Sequence, residues 1–287
     1  MKDYSSIFPI EKMCKALKVC RSSYYHWLRC RFNRRDIENK DLSDKIRTIY
    51  EKSKKTYGSP RITIELRNQG IIVSRQRVAR LMRKMNLRSI IRKKFVVTTD
   101  SKHNYPVVEN KLNRYFQVTD IGEAWVSDIT YIKTSEGWLY LTAIIDLGDR
   151  KVIGWSHSKS LKASDTTIPA WIMAAKNRPV TGKLIFHSDR GVQYACNEFA
   201  NLLAGYKLVE RSMSRKGDCW DNVVAESFFK TLKVECAYQN NYKTRNQAAL
   251  SIFEYIETWY NTGRIHSTLK MSMKDFTENK LNQKLVA

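Results

Sequence analysis

The chain has 287 residues, 43% of them hydrophobic, enough for one sizeable core and a smaller module. Its 51 Lys and Arg against 28 Asp and Glu leave a formal charge of +23, which favours a polyanionic partner, most simply nucleic acid. No apolar run approaches the ~20 residues that span a bilayer, no secretory leader is recognisable, and the six cysteines form no CxxC pair, a pattern that suits a reduced cytosolic protein.

The charge is uneven. Residues 1–120 hold 29 basic and 11 acidic residues, whereas 121–287 hold 22 and 17. The first part reads as a grip on a polyanion, and the second as the part that needs its acids.

In chain order, Met13, Ala16, Leu17 and Cys20 recur at helical spacing, and Ser22 and Ser23 are N-cap types ahead of "YYHWLR". Cys14, Cys20, His26 and Cys30 match no common zinc spacing, and Cys14 and Cys20 fall on the apolar face of a probable helix, so the cysteines read as buried thiols and no zinc is expected. Leu42, Ile46, Ile49 and Tyr50 suggest a linking helix. "SPRITIELRNQG" opens a helix at Ser59-Pro60 and closes it at Gly70. Ser74 then caps "RQRVARLMRKMN", whose apolar stripe is Val78, Leu81, Met82 and Met85. Helix, short turn and arginine-rich helix form the pattern of a helix-turn-helix DNA reader. Nine basic residues and no acids lie between Arg75 and Lys94. Arg75, Arg77, Arg80, Arg83 and Lys84 fall off the stripe, where DNA contact competes with a merely solvated face.

Residues 1–94 thus read as a helical DNA-binding region with helix-turn-helix units, and 95–120 as a linker. "AWVSDITYI", "WLYLTAIID" and "KVIGWSHS" then predict a three-stranded antiparallel meander. "SDTTIPAWIMAAKN" predicts a helix and "KLIFHSD" a short strand. A helix near 197–205, a strand near 208–213, a helix through "VVAESFFKTLK" and a longer one over 244–260 follow. Strands first, then alternating helices and strands, give an α/β fold: a mixed sheet with flanking helices, preceded by a small all-α region.

Three acids stand out. Asp128 interrupts a strand, where an acid is unfavourable. Asp189 follows the apolar run Leu184-Ile185-Phe186, and Glu226 lies on a helix behind a glycine-containing polar turn. Converging, they would form an oxygen-rich site for two Mg²⁺ ions, as used in phosphodiester cleavage. From spacing alone each also reads as a turn or surface acid, and Asp146 is a rival because it ends its own apolar strand.

"WVSDITYI", "HSDRGVQY" and "SMSRKGDCWDNVVAESFFKTLKVE", followed by "YIETWYNTGRIHSTL", closely resemble the DDE transposases of bacterial insertion sequences. The nearest group is the insertion-sequence-three family, whose core is similar to retroviral integrases. "YGSPRITIELRNQGIIVSRQRVARLMRKMNL" looks like that family's helix-turn-helix segment. The resemblance implies Asp128, Asp189 and Glu226 as catalytic, metal-binding acids in an RNase H-like core over 121–240, with a helical extension over 241–287. It also implies a structural role for Asp146 and a strand-cleaving, strand-transferring enzyme of the bacterial cytoplasm and nucleoid. Mg²⁺ would be its cofactor, with Mn²⁺ able to substitute. Its partners would be element-end and target DNA, further copies of the chain, and an upstream-frame protein supplying a helix-turn-helix and leucine zipper.

Two departures from the family pattern stand in this chain: one extra residue between Asp189 and Glu226, and "LKMSMKDF" where relatives carry Gly-Tyr and a proline. Lys230 and Lys233 follow Glu226 on one helical face, as phosphate contacts or as an ordinary Glu–Lys pair. Arg190, Arg215 and Lys216 are candidates to line the DNA path. His187 is either a hydrogen-bonding support or a packed residue. Asn261, Arg264 and His266 match a family motif of unassigned role, and Glu235 is expected to tolerate substitution. A non-catalytic DNA-binding protein is the rival class, but it would have no need to gather three carboxylates.

Overall fold

In the computed structural model, residues 1–29, 34–90 and 105–286 are described. Cys30, Arg92, Lys93, Lys94 and the 95–104 part of the expected linker lie outside the described residues. The chain divides into two compact units, Met1–Arg88 and Ser89–Ala287.

Apolar side chains at helical spacing build the first unit from α1 (Ile10–Ala16), α2 (Arg21–Arg29), α3 (Arg34–Lys52), α4 (Ser59–Asn68) and α5 (Arg75–Lys84). Ser22 and Ser23 lie inside the first turn of α2 rather than capping it, because the helix begins at Arg21 and Tyr24 N already donates to Cys20 O. Cys14 and Tyr24 are buried, as are Ile46, Ile62, Leu66, Val78, Leu81 and Met82, whereas Cys20, expected to be a buried thiol, is exposed because it lies between α1 and α2 rather than on a helix face. Gly70 ends α4 with φ of +80°, the left-handed conformation that glycine adopts without steric cost. Its N–H returns to Arg67 O while Ile71 N returns to Leu66 O. Ser74 Oγ accepts from Arg77 N at 3.2 Å and starts α5.

In the second unit the β-branched and aromatic runs form β1 (Ala124–Thr134), β2 (Gly137–Asp146) and β3 (Val152–Ser158). β2 lies antiparallel to both neighbours. β4 (Leu184–Ser188) runs parallel to β1, and β5 (Val209–Met213) parallel to β4. The strand order is β3-β2-β1-β4-β5, the RNase H-like mixed sheet. Between the strands lie α6 (Thr167–Asn177), α7 (Val192–Ala195) and α8 (Asn197–Ala204). After β5 come α9 (Val223–Glu235), α10 (Arg245–Glu254), a π-helical turn over Tyr255–Tyr260, and α11 (Met273–Val286).

Both sheet faces are covered, which is why the strands read as continuous apolar runs rather than alternating ones. Val126, Leu141 and Ile145 pack with Phe228 and Leu232 of α9 and Ile252 of α10. Trp125, Ile144 and Ile153 pack with Trp171 of α6 and Phe199 of α8. Leu112, ahead of the sheet, and Tyr255 and Met273, well beyond α9, belong to the first of these cores.

Gly154 of β3 brings α6 against the strand: a Cβ there would lie 2.3 Å from Ala170 O and 2.7 Å from Ala174 N. Those are backbone atoms of a packed helix, so they cannot rotate aside. Gly154→Ala is expected to lower stability by about 1–3 kcal/mol, the usual range for overpacking, as read by the denaturation midpoint. No helix among the described residues is long and apolar enough to cross a membrane.

Candidate active site and DNA-binding surface

The parallel pairing of β1 with β4 sets the first two acids side by side. Ser127 is the register partner of Ser188, so Asp128, inside β1, and Asp189, the residue just past the end of β4, follow paired positions. Asp128 is half-buried, and its Oδ1 accepts from Ile129 N at 2.8 Å. Burial, followed by repulsion from Asp189 and from Glu226, pushes its carboxyl well above the usual carboxylate range. Asp189 Oδ1 accepts from Gly191 N at 2.9 Å, and a Cβ on Gly191 would crowd that oxygen at 3.0 Å.

Glu226 lies in the first turn of α9, whose buried side is Ala225, Phe228, Phe229 and Leu232. It too is half-buried, and burial raises its carboxyl. Asn222, just before the helix, donates from Nδ2 to Ser127 O at 2.9 Å, tying the start of α9 to the residue before Asp128. Behind the acids, Tyr194 is hydrogen-bonded to Ser127 Oγ at 2.7 Å, and that hydroxyl in turn donates to Ala143 O at 3.0 Å. Burial and the nearby Asp128 and Asp189 hold the Tyr194 phenol well above its ordinary value. It is a neutral donor, not a nucleophile.

The donor set fits a hard divalent cation. It is all oxygen, and Asp128 is repelled by Asp189 and Glu226. Among the described residues, no three His, Cys, Asp or Glu side chains are gathered closely enough to form a ready-made metal cluster. The acids are therefore electrostatic neighbours around an open site rather than a closed cage.

The basic candidates separate. Lys233 is half-buried, and burial lowers its ammonium while Asp128 works in the opposite direction, so it faces the acids. Lys230 and Lys216 are exposed. Arg190 donates from Nε to Ser214 O at 2.7 Å. Arg215, though exposed, holds Asp221 through Nε at 2.9 Å and Nη2 at 2.8 Å; with Arg114 it keeps that carboxyl well below the usual range. In the first unit, Arg75, Arg80, Arg83 and Lys84 are exposed on α5. Arg77 instead reaches α3, bonding Asn39 Oδ1 at 3.0 Å and pairing with Glu38 at 3.4 Å. Periodicity puts a residue off the apolar stripe, but it does not reveal a partner on another helix.

His187 is fully buried between Ser212 Oγ at 2.8 Å and Ser214 Oγ at 3.1 Å. Burial lowers its imidazole to about 4, so it is a neutral strut joining β4 to β5. Asp146 is also fully buried. It accepts from Gly122 N, Trp125 Nε1, Gly148 N and Arg178 Nη1, so its lone pairs are committed to the fold. Asn261 pairs with the Val152 backbone in both directions, at 3.0 and 2.9 Å. Arg264 forms two hydrogen bonds to Glu235, at 2.9 and 2.8 Å. Glu235, expected to tolerate substitution, has a side chain only 6% exposed that holds a buried ion pair, so it is a poor control position.

Residue type and spacing did not single out Ser127, Tyr194, Asp221 or Asn222. The signal for the last two was the dipeptide ahead of Glu226, read only as a turn.

An HTH-like domain model matches residues 36–95, and integrase core domain models match residues 119–219 and 226–281. The transposase InsF for insertion sequence IS3A of Escherichia coli (strain K12) is 38% identical over 269 residues, covering 93% of each chain. The chain belongs to the IS3 family of insertion-sequence transposases. An insertion element IS600 protein of 31 kDa from Shigella sonnei is also 38% identical, over 90% of this chain and 94% of that protein. Among solved structures, a simian T-cell lymphotropic virus intasome, in complex with the PP2A regulatory subunit B56 gamma, aligns with 79% of this IS3-family chain and 72% of its own. The TM-score is 0.45 and the identity 15%. The HTLV-2 integrase catalytic core domain in complex with magnesium aligns with 54% of this chain and 95% of its own, at TM-score 0.40 and 15% identity.

Proposed function

We propose that this transposase cuts DNA at the ends of its element and joins the exposed 3′-hydroxyl to target DNA, using Asp128, Asp189 and Glu226 as its catalytic acids. The observation that carries the reading is the β1–β4 register that sets Asp128 beside Asp189; burial, with repulsion from Asp189 and Glu226, raises the Asp128 carboxyl, and a bound cation would relieve that repulsion. The three carboxylates would hold two Mg²⁺ ions, or Mn²⁺ in their place, and these would supply the Lewis acidity that favours both the attacking and the leaving oxygen. The protein's own residues set the geometry. β1 and β4 fix two acids in register, α9 presents the third, and Gly191 leaves room beside Asp189. Lys233 adds positive charge next to Asp128, where a phosphate must approach. Water and a 3′-hydroxyl are equivalent attackers at such a site, so one site serves both steps.

The exposed face of α5 supports DNA contact through Arg75, Arg80, Arg83 and Lys84, with Lys216 and Lys230 as phosphate contacts near the acids. Arg77, Arg190 and Arg215 have protein partners and are proposed to shape that surface rather than grip DNA. Replacing Arg80 and Arg83 together by Ala is expected to reduce the salt slope of DNA binding by about 2, since each lost phosphate contact removes roughly 0.9. Titrating end DNA at several salt concentrations measures it, and an unchanged slope places the grip elsewhere. Assembly of several copies on DNA, in the bacterial cytoplasm and at its nucleoid, and an upstream-frame partner belong to the same proposal. Incubating the full chain with end-bearing DNA, with and without Mg²⁺, tests the reading directly. Metal-independent cleavage, or no cleavage even with the upstream-frame partner supplied, overturns it.

A further inference from the structure

The turn that launches α9 is anchored by a carboxylate with no exposed surface. Asp221 is 0% exposed. It accepts from Asn110 Nδ2 at 2.9 Å, Arg114 Nε at 2.8 Å, and Arg215 N, Nε and Nη2 at 2.8, 2.9 and 2.8 Å. Arg114 also pairs with Asp218, whose Oδ1 accepts from Trp220 N at 3.2 Å. Asn110 and Arg114 lie more than a hundred positions upstream, and their segment is itself fastened: Lys111 N and Leu112 N both donate to Ser212 Oγ. The segment thus straps the launching turn to the end of β5. The next residue, Asn222, completes the attachment. It is 4% exposed, bonds Ser127 O at 2.9 Å, and leaves Oδ1 buried without a partner.

A helix moves as a stiff rod, and Glu226 is only four residues into α9. Its largest buried contacts, Phe228, Phe229 and Leu232, lie on the C-terminal side of Glu226. On the N-terminal side, Ala225 is buried and Val223 and Val224 are half-buried, small apolar contacts to which Asp221 and Asn222 add the polar anchors of the first turn. Asn222 ties that turn to the residue before Asp128. Asp221 ties it to Arg114 and Arg215.

We infer that Arg114, acting through Asp221, is a positioning residue that sets the placement of Glu226 relative to Asp128, and with it the affinity of the acids for divalent metal. This rests on the metal-dependent reading above. Arg114 touches no reacting atom. Its loss leaves Asp221 with Arg215 and Asn110, so the turn loosens without losing every bond. Outer-shell groups that orient metal ligands commonly change affinity by about 10–100-fold when removed.

The test uses the full chain with Arg114→Met, Arg114→Lys and Asn110→Ala. Mn²⁺ binding is followed by electron paramagnetic resonance, and the Mg²⁺ midpoint of strand transfer by gel. Arg114→Met is expected to weaken Mn²⁺ binding about tenfold and to raise the Mg²⁺ midpoint to match, with DNA affinity unchanged and activity recovering at high metal. Arg114→Lys should recover part of the loss, and Asn110→Ala should show a smaller shift in the same direction. Should Arg114→Met not fold, Asn110→Ala decides. A lowered melting temperature with unchanged Mn²⁺ binding and an unchanged Mg²⁺ midpoint would make the strap a fold strut only and overturn the inference. Mn²⁺ binding by the parent chain that survives Asp128→Asn would instead refute the underlying metal assignment, and this inference with it.

Discussion

Asp128→Asn is expected to reduce strand transfer by about a thousandfold or more, the scale seen when a residue acting as part of a catalytic unit is removed, while DNA binding stays unchanged. The substitution is nearly isosteric. A carboxamide oxygen can still accept the Ile129 N–H bond at 2.8 Å, so β1 has no reason to distort. What disappears is the charge, and with it one metal ligand. The stability response has a definite sign. Asp128 is held well above the usual carboxylate range by burial and by Asp189 and Glu226. In the metal-free protein, neutralising it removes repulsion and leaves the melting temperature unchanged or higher. A variant inactive yet no less stable separates a functional acid from a structural one. Asp189→Asn and Glu226→Gln should lose activity alike, and wild-type turnover in any of the three would sink the assignment.

The second large effect falls on stability, far from the acids in role. Arg264→Met is expected to cost about 3–5 kcal/mol, because it strands a buried carboxylate. Glu235 receives Arg264 Nε and Nη2 at 2.9 and 2.8 Å and Tyr255 OH at 2.9 Å. The two charged side chains are 4% and 6% exposed. Arg264 also lies 5.5 Å from the Tyr260 ring centroid. Chemical denaturation of the metal-free chain measures the loss. Glu235→Gln strands the guanidinium instead and is expected to be destabilising too. The double variant Glu235→Met with Arg264→Met should regain much of the stability, since an apolar pair of similar volume often replaces a buried ion pair without penalty. If Arg264→Met melts like the parent, the pair contributes no net stability and the C-terminal segment is held by its apolar contacts alone.

The contrast between the two glutamates shows where local pattern stops. Glu226 and Glu235 lie on one helix, nine residues apart, and each is acidic in an otherwise apolar and basic stretch. Only the chain returning through the π-helical turn brings Arg264 and Tyr255 onto Glu235. Asp128 and Asp146 pose the same problem in the sheet. Both lie in largely apolar strands, yet Asp146 is saturated by Arg178, Trp125 and two backbone N–H groups, and Asp128 is repelled by other acids. Sign of charge places Arg77 and Arg215 among the basic candidates, and both have acidic partners in the fold.

From sequence alone, hydrophobic period and turn chemistry determined the helices of the first unit, the meander and the later strands, because those signals act between residues a few positions apart. The long acidic motifs, in their order, determined the family and the candidate acids. Only the tertiary structure decided which charges are spent on the fold. The pairing of Ser127 with Ser188, the strap from Arg114 to Asp221, and the closure of Arg264 on Glu235 join residues 61, 107 and 29 positions apart. No local periodicity encodes such contacts. The strand pairing exists because buried backbone groups need hydrogen bonds, and the two ion pairs because a buried charge demands a partner, whichever residue the completed fold delivers.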